Sequence, residues 1–176
     1  MRRLISCILI SVFTAALFAG CGKEEETLPG IYEYLGDYSY DSTVTAFVYE
    51  SVAGEDEYGI QYREVKDIEG LLASDNTVML YFYSSMASDI YGITAGAEDI
   101  AQCTWGEMTV IMIDVLDNNA LSSRYEIDKV PEFVIVRSGN EISRFEGYNY
   151  SEWTMSDVAA WVTMSGVRVD YSRINQ

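Results

Sequence analysis

The residues of this chain that are best suited to chemistry are its three cysteines, Cys7, Cys21 and Cys103. The sequence contains no histidine. A Ser-His-Asp triad, a Cys-His pair and a histidine metal site are therefore excluded in their usual forms. What remains is thiol chemistry, and the role of each cysteine depends on the segment that positions it.

The N-terminal segment has the pattern of an export signal. Residues 1–3 are a short basic start, and residues 4–18 form an apolar run. This run is shorter than the roughly 20 apolar residues of a membrane-spanning helix, and it fits the apolar region of a secretory signal peptide. Residues 17–21, Leu-Phe-Ala-Gly-Cys, resemble the lipobox of bacterial lipoproteins. The resemblance implies that residues 1–20 are cleaved and that Cys21 carries the lipid, including palmitate, as the first mature residue.

A lipid on Cys21 would anchor the protein in the cell membrane on its extracytoplasmic face, at the cell surface or in the periplasm. Residues 21–30 are polar and charged and end in Pro29 and Gly30, which predicts a tether with nothing to bury. Cys103 is then the one cysteine left in the exported domain. It is either a buried, inert side chain, which we favour, or an exposed thiol that pairs with another protein.

The composition indicates a folded, acidic domain. Of the 176 residues, 49% are hydrophobic, which is too many for a disordered acidic tail. The length suits one domain of ordinary size. With 28 acidic and 11 basic side chains the formal net charge is -17, which argues against nucleic acid as a partner.

Strand and helix patterns alternate along the chain from residue 67 onward. Continuous apolar runs predict buried strands over residues 77–83, 108–113 and 133–136, and a turn at 138–140 leads into a strand over 141–145. Helices are predicted over residues 67–74, from Ser88 or Asp89 to about Gln102, over 118–125, and from a cap at Ser151 onward. This order favours parallel strands joined by crossover helices plus one hairpin, in a sheet covered by helices on both sides.

The segment before residue 60 is rich in tyrosine, with seven of the 14 tyrosines between Tyr32 and Tyr62. Residues 43–49 carry the β-branched and aromatic side chains that are typical of a strand. We interpret residues 31–59 as an N-terminal β extension that adds one or two strands at the sheet edge, and residues 60–65 as the first strand of the main domain. The tyrosines fit half-buried strand faces, which we favour, or a binding platform.

From about residue 60 to residue 162 the order of elements resembles the thioredoxin family. Residues 80–90 align without a gap to the family's strand and active-site loop. The string Tyr125-x-Ile127-x-x-Val130-Pro131 is the most specific part of the match, and it aligns to the family's cis-proline loop. The resemblance implies an α/β fold, a three-layer α/β/α sandwich with a mixed central sheet over residues 60–165, next to the tyrosine-rich extension. Residues 166–176 remain as a C-terminal tail.

The same alignment places the family's two active-site cysteines on Ala87 and Ile90, with Ser88 and Asp89 between them. Neither of the two replacing side chains can form a thiolate or a disulfide. The resemblance therefore implies a degenerate active-site loop with no catalytic residue.

Two further positions of the redox site are replaced as well. The family's buried acid falls on Tyr81, and its active-site tryptophan falls on Met86. Cys103 does not substitute for the missing pair, because it lies at the far end of the helix that follows the loop. A helix of this length spans about 20 Å, much more than a sulfur–sulfur bond allows.

The resemblance retains the peptide-binding groove of the family. There, the residue before the cis-proline exposes its backbone N–H and C=O, and an extended peptide pairs with them like an added strand. In this chain that residue is Val130, followed by Pro131. Both are candidate peptide-binding residues. In the alternative, Pro131 preserves only a packing element of the fold.

Acidic residues elsewhere are weaker candidates for a site. Asp37, Asp41 and residues 55–57 lack the residue order of an EF-hand, so we interpret them as a solvated face. Acidic residues 114, 117, 126 and 128 could supply a pair of carboxylates for hydrolysis, although the sequence does not place two of them at the separation that such a reaction needs. We expect no metal and no cofactor.

Two functions from different classes follow. The first is a non-catalytic module, a membrane-anchored lipoprotein of the thioredoxin family without redox cysteines, which binds an extracytoplasmic protein or peptide. The second is a thiol–disulfide redox function through Cys103 or a partner's cysteine. A subunit whose fold serves only assembly is a third, weaker hypothesis.

Overall fold

The computed structural model describes residues 30–52, 57–88, 90–149 and 152–175. Its strands are β1 (Leu35–Tyr38), β2 (Val44–Ser51), β3 (Tyr58–Val65), β4 (Thr77–Tyr83), β5 (Thr109–Asp114), β6 (Glu132–Arg137) and β7 (Asn140–Glu146). They form one seven-stranded sheet in the order β1-β3-β2-β5-β4-β6-β7. Strands β4 and β5 are parallel, whereas the other neighbouring pairs are antiparallel. The predicted mixed sheet is thus confirmed.

Helices cover both faces of this sheet. They are α1 (Ile68–Ala73), α2 (Ile90–Cys103), α3 (Asn119–Arg124) and α4 (Met155–Met164), with short 3-10 helices at Gly30–Tyr34, Gly147–Asn149 and Tyr171–Asn175. Helix α2 joins the parallel strands β4 and β5, and a turn at 138–140 joins β6 and β7 as a hairpin. Both connections agree with the sequence pattern.

Alternating side chains of the central strand β4 build two hydrophobic cores. On one face Leu80 packs in a cluster with Leu71 of α1 and Leu121 of α3. On the other face Tyr81 packs in a cluster with Val158 of α4 and with residues of α2. Because helices cover both faces, β4 is apolar on both, which is why it reads as a continuous apolar run. The three-layer α/β/α arrangement is therefore confirmed.

The order of the N-terminal strands differs from the prediction. We expected residues 60–65 to be the first strand of the main sheet and the preceding residues to extend its edge. Instead β2 lies directly beside β5, with Val44 opposite Ile113 and Phe47 opposite Val110, and β3 lies outside β2. Burial explains this order, since residues 45–48 of β2 are buried on both faces, whereas β3 is mostly half-buried.

The start of the last helix also differs. Helix α4 begins after Thr154, not after a cap at Ser151, which lies outside the described residues. The Asp157 carboxylate accepts hydrogen bonds from the Thr154 backbone N–H at 2.7 Å and from the Thr154 hydroxyl at 2.9 Å. This contact between the cap and the third helical residue stabilises the first turn at Thr154.

The predicted signal peptide over residues 1–20, the lipidation site Cys21 and residues 21–29 of the tether lie outside the described residues. Among the described helices, none is both long and apolar enough to cross a membrane. Lipid anchoring therefore stays a prediction from the sequence.

Candidate functional site

The candidate site lies at the edge of the sheet where β4 and β5 end and β6 begins. Tyr83 at the end of β4 is level with Asp114 of the parallel strand β5, and Phe82 is opposite Glu132 of the antiparallel strand β6. The loop after β4 and the residues before β6 are thereby brought to the same edge. We use the term groove for the surface formed by residues 84–88 and 129–131.

The peptide bond between Val130 and Pro131 is cis, as the resemblance implies. The Val130 side chain packs against the core on the α3 side, and both residues are half-buried. Ladder pairing of β6 with β4 begins only at Glu132. Within the described residues, no hydrogen bond engages the backbone N–H or C=O of Val130. Within those residues, these two groups are therefore available to pair with another strand.

A tight turn shapes the other wall of the groove. The Ala87 N–H donates to the Ser84 carbonyl at 2.9 Å, and the Met86 N–H donates to the Ser84 hydroxyl at 3.3 Å. The turn directs the Met86 side chain outward, where it is 84% exposed, while Ala87 is half-buried and Ser88 is exposed. Asp89 lies outside the described residues, and Ile90 is described only as the first residue of α2.

Aromatic rings form the floor behind this turn. Tyr81 is fully buried and stacks on Phe133, with the ring centroids 5.0 Å apart, and the Tyr83 ring lies 5.6 Å from that of Tyr81. Burial raises the pKa of the Tyr83 phenol, and the carboxylates of Asp114 and Asp117 raise it further. A phenol with a raised pKa stays protonated at neutral pH, so Tyr83 is not suited to act as a general base.

The sequence reasoning missed one buried acid beside the groove. Glu132 follows Pro131 directly, is 0% exposed and is paired with Arg144 of β7. Within the described residues, its Oε2 atom has no hydrogen-bond partner. Burial raises the pKa of the Glu132 carboxyl, and Arg144 opposes this shift. A signal for this ion pair was available in the predicted β6–β7 hairpin. Arg144 pairs with Val134, two residues after Glu132, so Glu132 and Arg144 are diagonal neighbours on one face of the hairpin.

Arg144 connects three elements near the groove. Besides Glu132, its guanidinium donates to the Tyr125 carbonyl at 2.9 Å, just after α3, and to the Glu141 carboxylate at 2.7 Å. The chain then turns through Glu126, whose φ is 55°, and the Ile127 N–H donates to the Ser122 carbonyl at 2.8 Å. Arg144 therefore holds both ends of the segment that leads to the cis-proline.

Cys103 lies at the opposite end of α2 from the groove. Its side chain is 3% exposed, which agrees with the buried interpretation. Part of the predicted tail covers the helix end, because the Asp170 N–H donates to the Cys103 carbonyl at 2.8 Å and the Arg173 guanidinium donates to the Trp105 carbonyl at 3.1 Å. Burial raises the pKa of the Cys103 thiol, and Asp99 and Asp170 act in the same direction.

We expect Cys103 of the folded protein to react with Ellman's reagent at least about tenfold more slowly than the same cysteine in urea, because only the thiolate attacks and burial disfavours it. The time course of labelling with and without urea measures this ratio. Rapid, stoichiometric labelling of the folded protein would contradict the buried site and would favour a redox function.

Asp114, one of the residues considered for a carboxylate pair, is engaged within its own loop. Asp114 is buried, and its Oδ1 accepts the Leu116 N–H at 3.1 Å. Across the part of the chain that the structure describes, no group of three or more histidine, cysteine, aspartate or glutamate side chains is arranged to hold a metal ion. Residues 55 and 56 of the other acidic region lie outside that part.

The comparison with protein families agrees with this geometry. The thioredoxin family model matches residues 63–160, which is more than half of the chain. The chain belongs to the thioredoxin family. The part of this family member that is matched begins in β3 and ends in α4, so it includes the whole groove.

Curated relatives are distant. Thioredoxin-T from Drosophila melanogaster is 24% identical over 92 residues, which cover 52% of this chain and 59% of that protein. Thioredoxin Y, chloroplastic, from Oryza sativa subsp. japonica is 25% identical over 79 residues, which cover 45% of this chain and 47% of that protein. The chain spans about half the length of the curated relatives it matches.

Solved structures resemble the fold. A designed protein superimposes with a TM-score of 0.50 at 16% identity, over 58% of this chain and 87% of that one. The germline-specific thioredoxin Deadhead from Drosophila melanogaster gives a TM-score of 0.46 at 21% identity, over 52% of this chain and 83% of that one. At such identities the likeness concerns the fold alone.

Proposed function

We propose that this thioredoxin family protein is a non-catalytic lipoprotein whose groove binds an extended segment of an extracytoplasmic protein. The observation that carries the proposal is that the Val130 backbone N–H and C=O have no hydrogen-bond partner within the described residues. They lie next to a cis-proline and beside a loop with Ala87 in the position of the family's nucleophile. Backbone pairing of this kind supplies affinity without chemistry.

The side chains around Val130 support binding more than catalysis. The exposed Met86 presents apolar surface on the loop side of the groove, and a flexible methionine adapts to different partners. The nearest described sulfhydryl is that of Cys103, at the other end of a helix of 14 residues. A bound segment would therefore be held by reversible contacts and not by a mixed disulfide.

The lipid anchor is proposed from the lipobox-like residues 17–21, and it gives the groove a location. Acyl chains on Cys21 would hold the domain at the membrane, and residues 21–30 would be the tether between them. The acidic domain would be repelled by anionic headgroups, so the groove would face partners in the surrounding compartment.

A photo-crosslinking pair tests the binding function on intact cells. Met86 beside the groove and Met164 at the end of α4 are 84% and 80% exposed, so the same benzophenone amino acid can replace either with little effect on folding. Helix α4 runs away from the groove edge. The Trp161 indole N–H, near the end of α4, donates to the Ser143 hydroxyl, and Ser143 pairs with Ile135, which lies further along β6 than Glu132 at the groove edge.

We expect a defined protein partner to be captured from Met86 and not from Met164, as judged by mass spectrometry of the crosslinked bands. Equal capture from both positions, or none from Met86, would show that the groove is not a binding site.

A further inference from the structure

The rim of the groove on the α3 side carries negative charge that has no counter-ion within the described residues. Asp117, Glu126 and Asp128 are exposed, and none of them takes part in an ion pair within the described residues. Nearby cations are engaged elsewhere. Arg124 pairs with Glu69 at 2.7 Å, and the Lys129 ammonium lies 5.3 Å from the centre of the Tyr148 ring.

Two of these residues, Glu126 and Asp128, line a surface depression. It lies between α3 and the chain that leads to the cis-proline and has a volume of about 610 Å³. Val115 and Ile127 contribute apolar atoms to its lining, Asn119, Ser122 and Ser123 contribute polar groups, and Glu126 and Asp128 contribute carboxylates. The Val115 N–H donates to the Tyr83 carbonyl at 2.9 Å, which places the depression beside the loop that begins at residue 84.

A mixed lining with two carboxylates and some apolar surface suits a long cationic side chain. The aliphatic part of lysine or arginine packs on apolar surface while its charged end remains at a polar rim. A strand paired with Val130 would direct alternate side chains to opposite sides, one of which faces Met86 and the other the depression. An acidic peptide would meet unpaired carboxylates there and be repelled.

We propose that the groove selects extended segments that carry a lysine or arginine one residue away from the position paired with Val130, with the cationic side chain in the depression between Glu126 and Asp128. This inference rests on the proposed function and adds the chemistry of the partner. The net charge of -17 would also attract cationic segments from a distance, so the local site has to be separated from this general attraction.

Pools of ten-residue peptides provide the probe. Each pool has randomised small and apolar residues and one fixed central residue, which is lysine, arginine, glutamate or norleucine, the neutral analogue of lysine. Capture by benzophenone at Met86 of the purified domain over a range of peptide concentrations measures affinity. Two double variants with the same charge change are compared. The rim variant combines Glu126→Gln with Asp128→Asn, and the far-edge variant combines Glu57→Gln with Asp37→Asn near the β1 edge of the sheet. All four replaced residues are exposed.

We expect the lysine and arginine pools to bind about tenfold more tightly than the norleucine pool, and the glutamate pool to bind most weakly. The rim variant should lose this preference, and the far-edge variant should keep it. If all pools bind equally, or if the preference survives in the rim variant, the cationic site is wrong while peptide binding stands. If no pool is captured from Met86, both the cationic site and the proposed function are wrong.

Discussion

Replacing Arg144 by methionine is expected to lower the free energy of unfolding by about 3–5 kcal/mol at pH 7. Methionine keeps much of the side-chain volume but removes the positive charge that is paired with the fully buried Glu132. It also removes the hydrogen bond to the Tyr125 carbonyl at the end of α3. Urea denaturation of the wild-type and variant domains measures the loss.

The pH dependence identifies the cause of this loss. Without Arg144, burial alone would raise the pKa of the Glu132 carboxyl, as it already does against the opposing arginine. An acid whose pKa is higher in the folded than in the unfolded state destabilises the fold above that pKa, and the cost disappears as the pH falls below the unfolded value. The difference from the wild type should therefore shrink as the pH is lowered from 7 towards about 4.

Two comparisons make the Arg144 prediction specific. Adding Glu132→Gln to the Arg144→Met variant removes the buried charge, so it should recover part of the stability at pH 7 and abolish the pH dependence of the difference. Arg168→Met breaks an ion pair with Glu107 at 2.7 Å in which the Arg168 side chain is 81% exposed, and should cost at most about 1 kcal/mol. Equal losses in Arg168→Met and Arg144→Met would rule out a special role for the buried pair.

Replacing Phe133 by alanine should destabilise the protein by about 3–5 kcal/mol. Phe133 is fully buried in β6, and its ring contacts those of Tyr81 at 5.0 Å, Trp153 at 6.1 Å and Phe145 at 6.2 Å. Alanine would leave a cavity between the sheet and the helix layer of α2 and α4. Thermal and urea unfolding measure the loss, and a drop in capture from Met86 would show that the same rings support the groove.

Tyr40→Ala is the matched control for Phe133→Ala. Tyr40 also has an aromatic neighbour, Tyr62 at 5.2 Å, but it is 74% exposed. Its removal leaves no cavity, so we expect a cost below about 1 kcal/mol. A large loss from Tyr40→Ala would mean that the tyrosine-rich strands contribute more to the fold than their burial indicates.

The local sequence was sufficient to predict those elements whose structure depends on the residues of one segment. The run at 77–83 coincides with β4, because a strand covered on both faces has to be apolar at every position. The helix at 67–74 was predicted from apolar residues that share one helix face, and Asp67 caps α1 by accepting the Gly70 N–H at 2.9 Å. The motif Tyr125-x-Ile127-x-x-Val130-Pro131 was specific enough to predict the position of the cis-proline loop.

Pairing between distant segments could not be predicted in this way. The residues of β2 (44–51) and β3 (58–65) do not by themselves indicate which of the two strands lies beside β5. The structure places β2 there. The same limit applies to Glu132 and Arg144, because their types suggest surface residues and only the packing of α3 over the hairpin buries the acid.

The sequence by itself therefore determined the class of fold and the position of Val130 before a proline, because these depend on residue identity and on short-range pattern. Tertiary structure alone decided that the backbone of Val130 is free of internal hydrogen bonds within the described residues, and that Cys103 is buried beneath the returning tail. It also decided that the rim carboxylates lack internal counter-ions there, since charge pairing depends on which side chains long-range packing brings together.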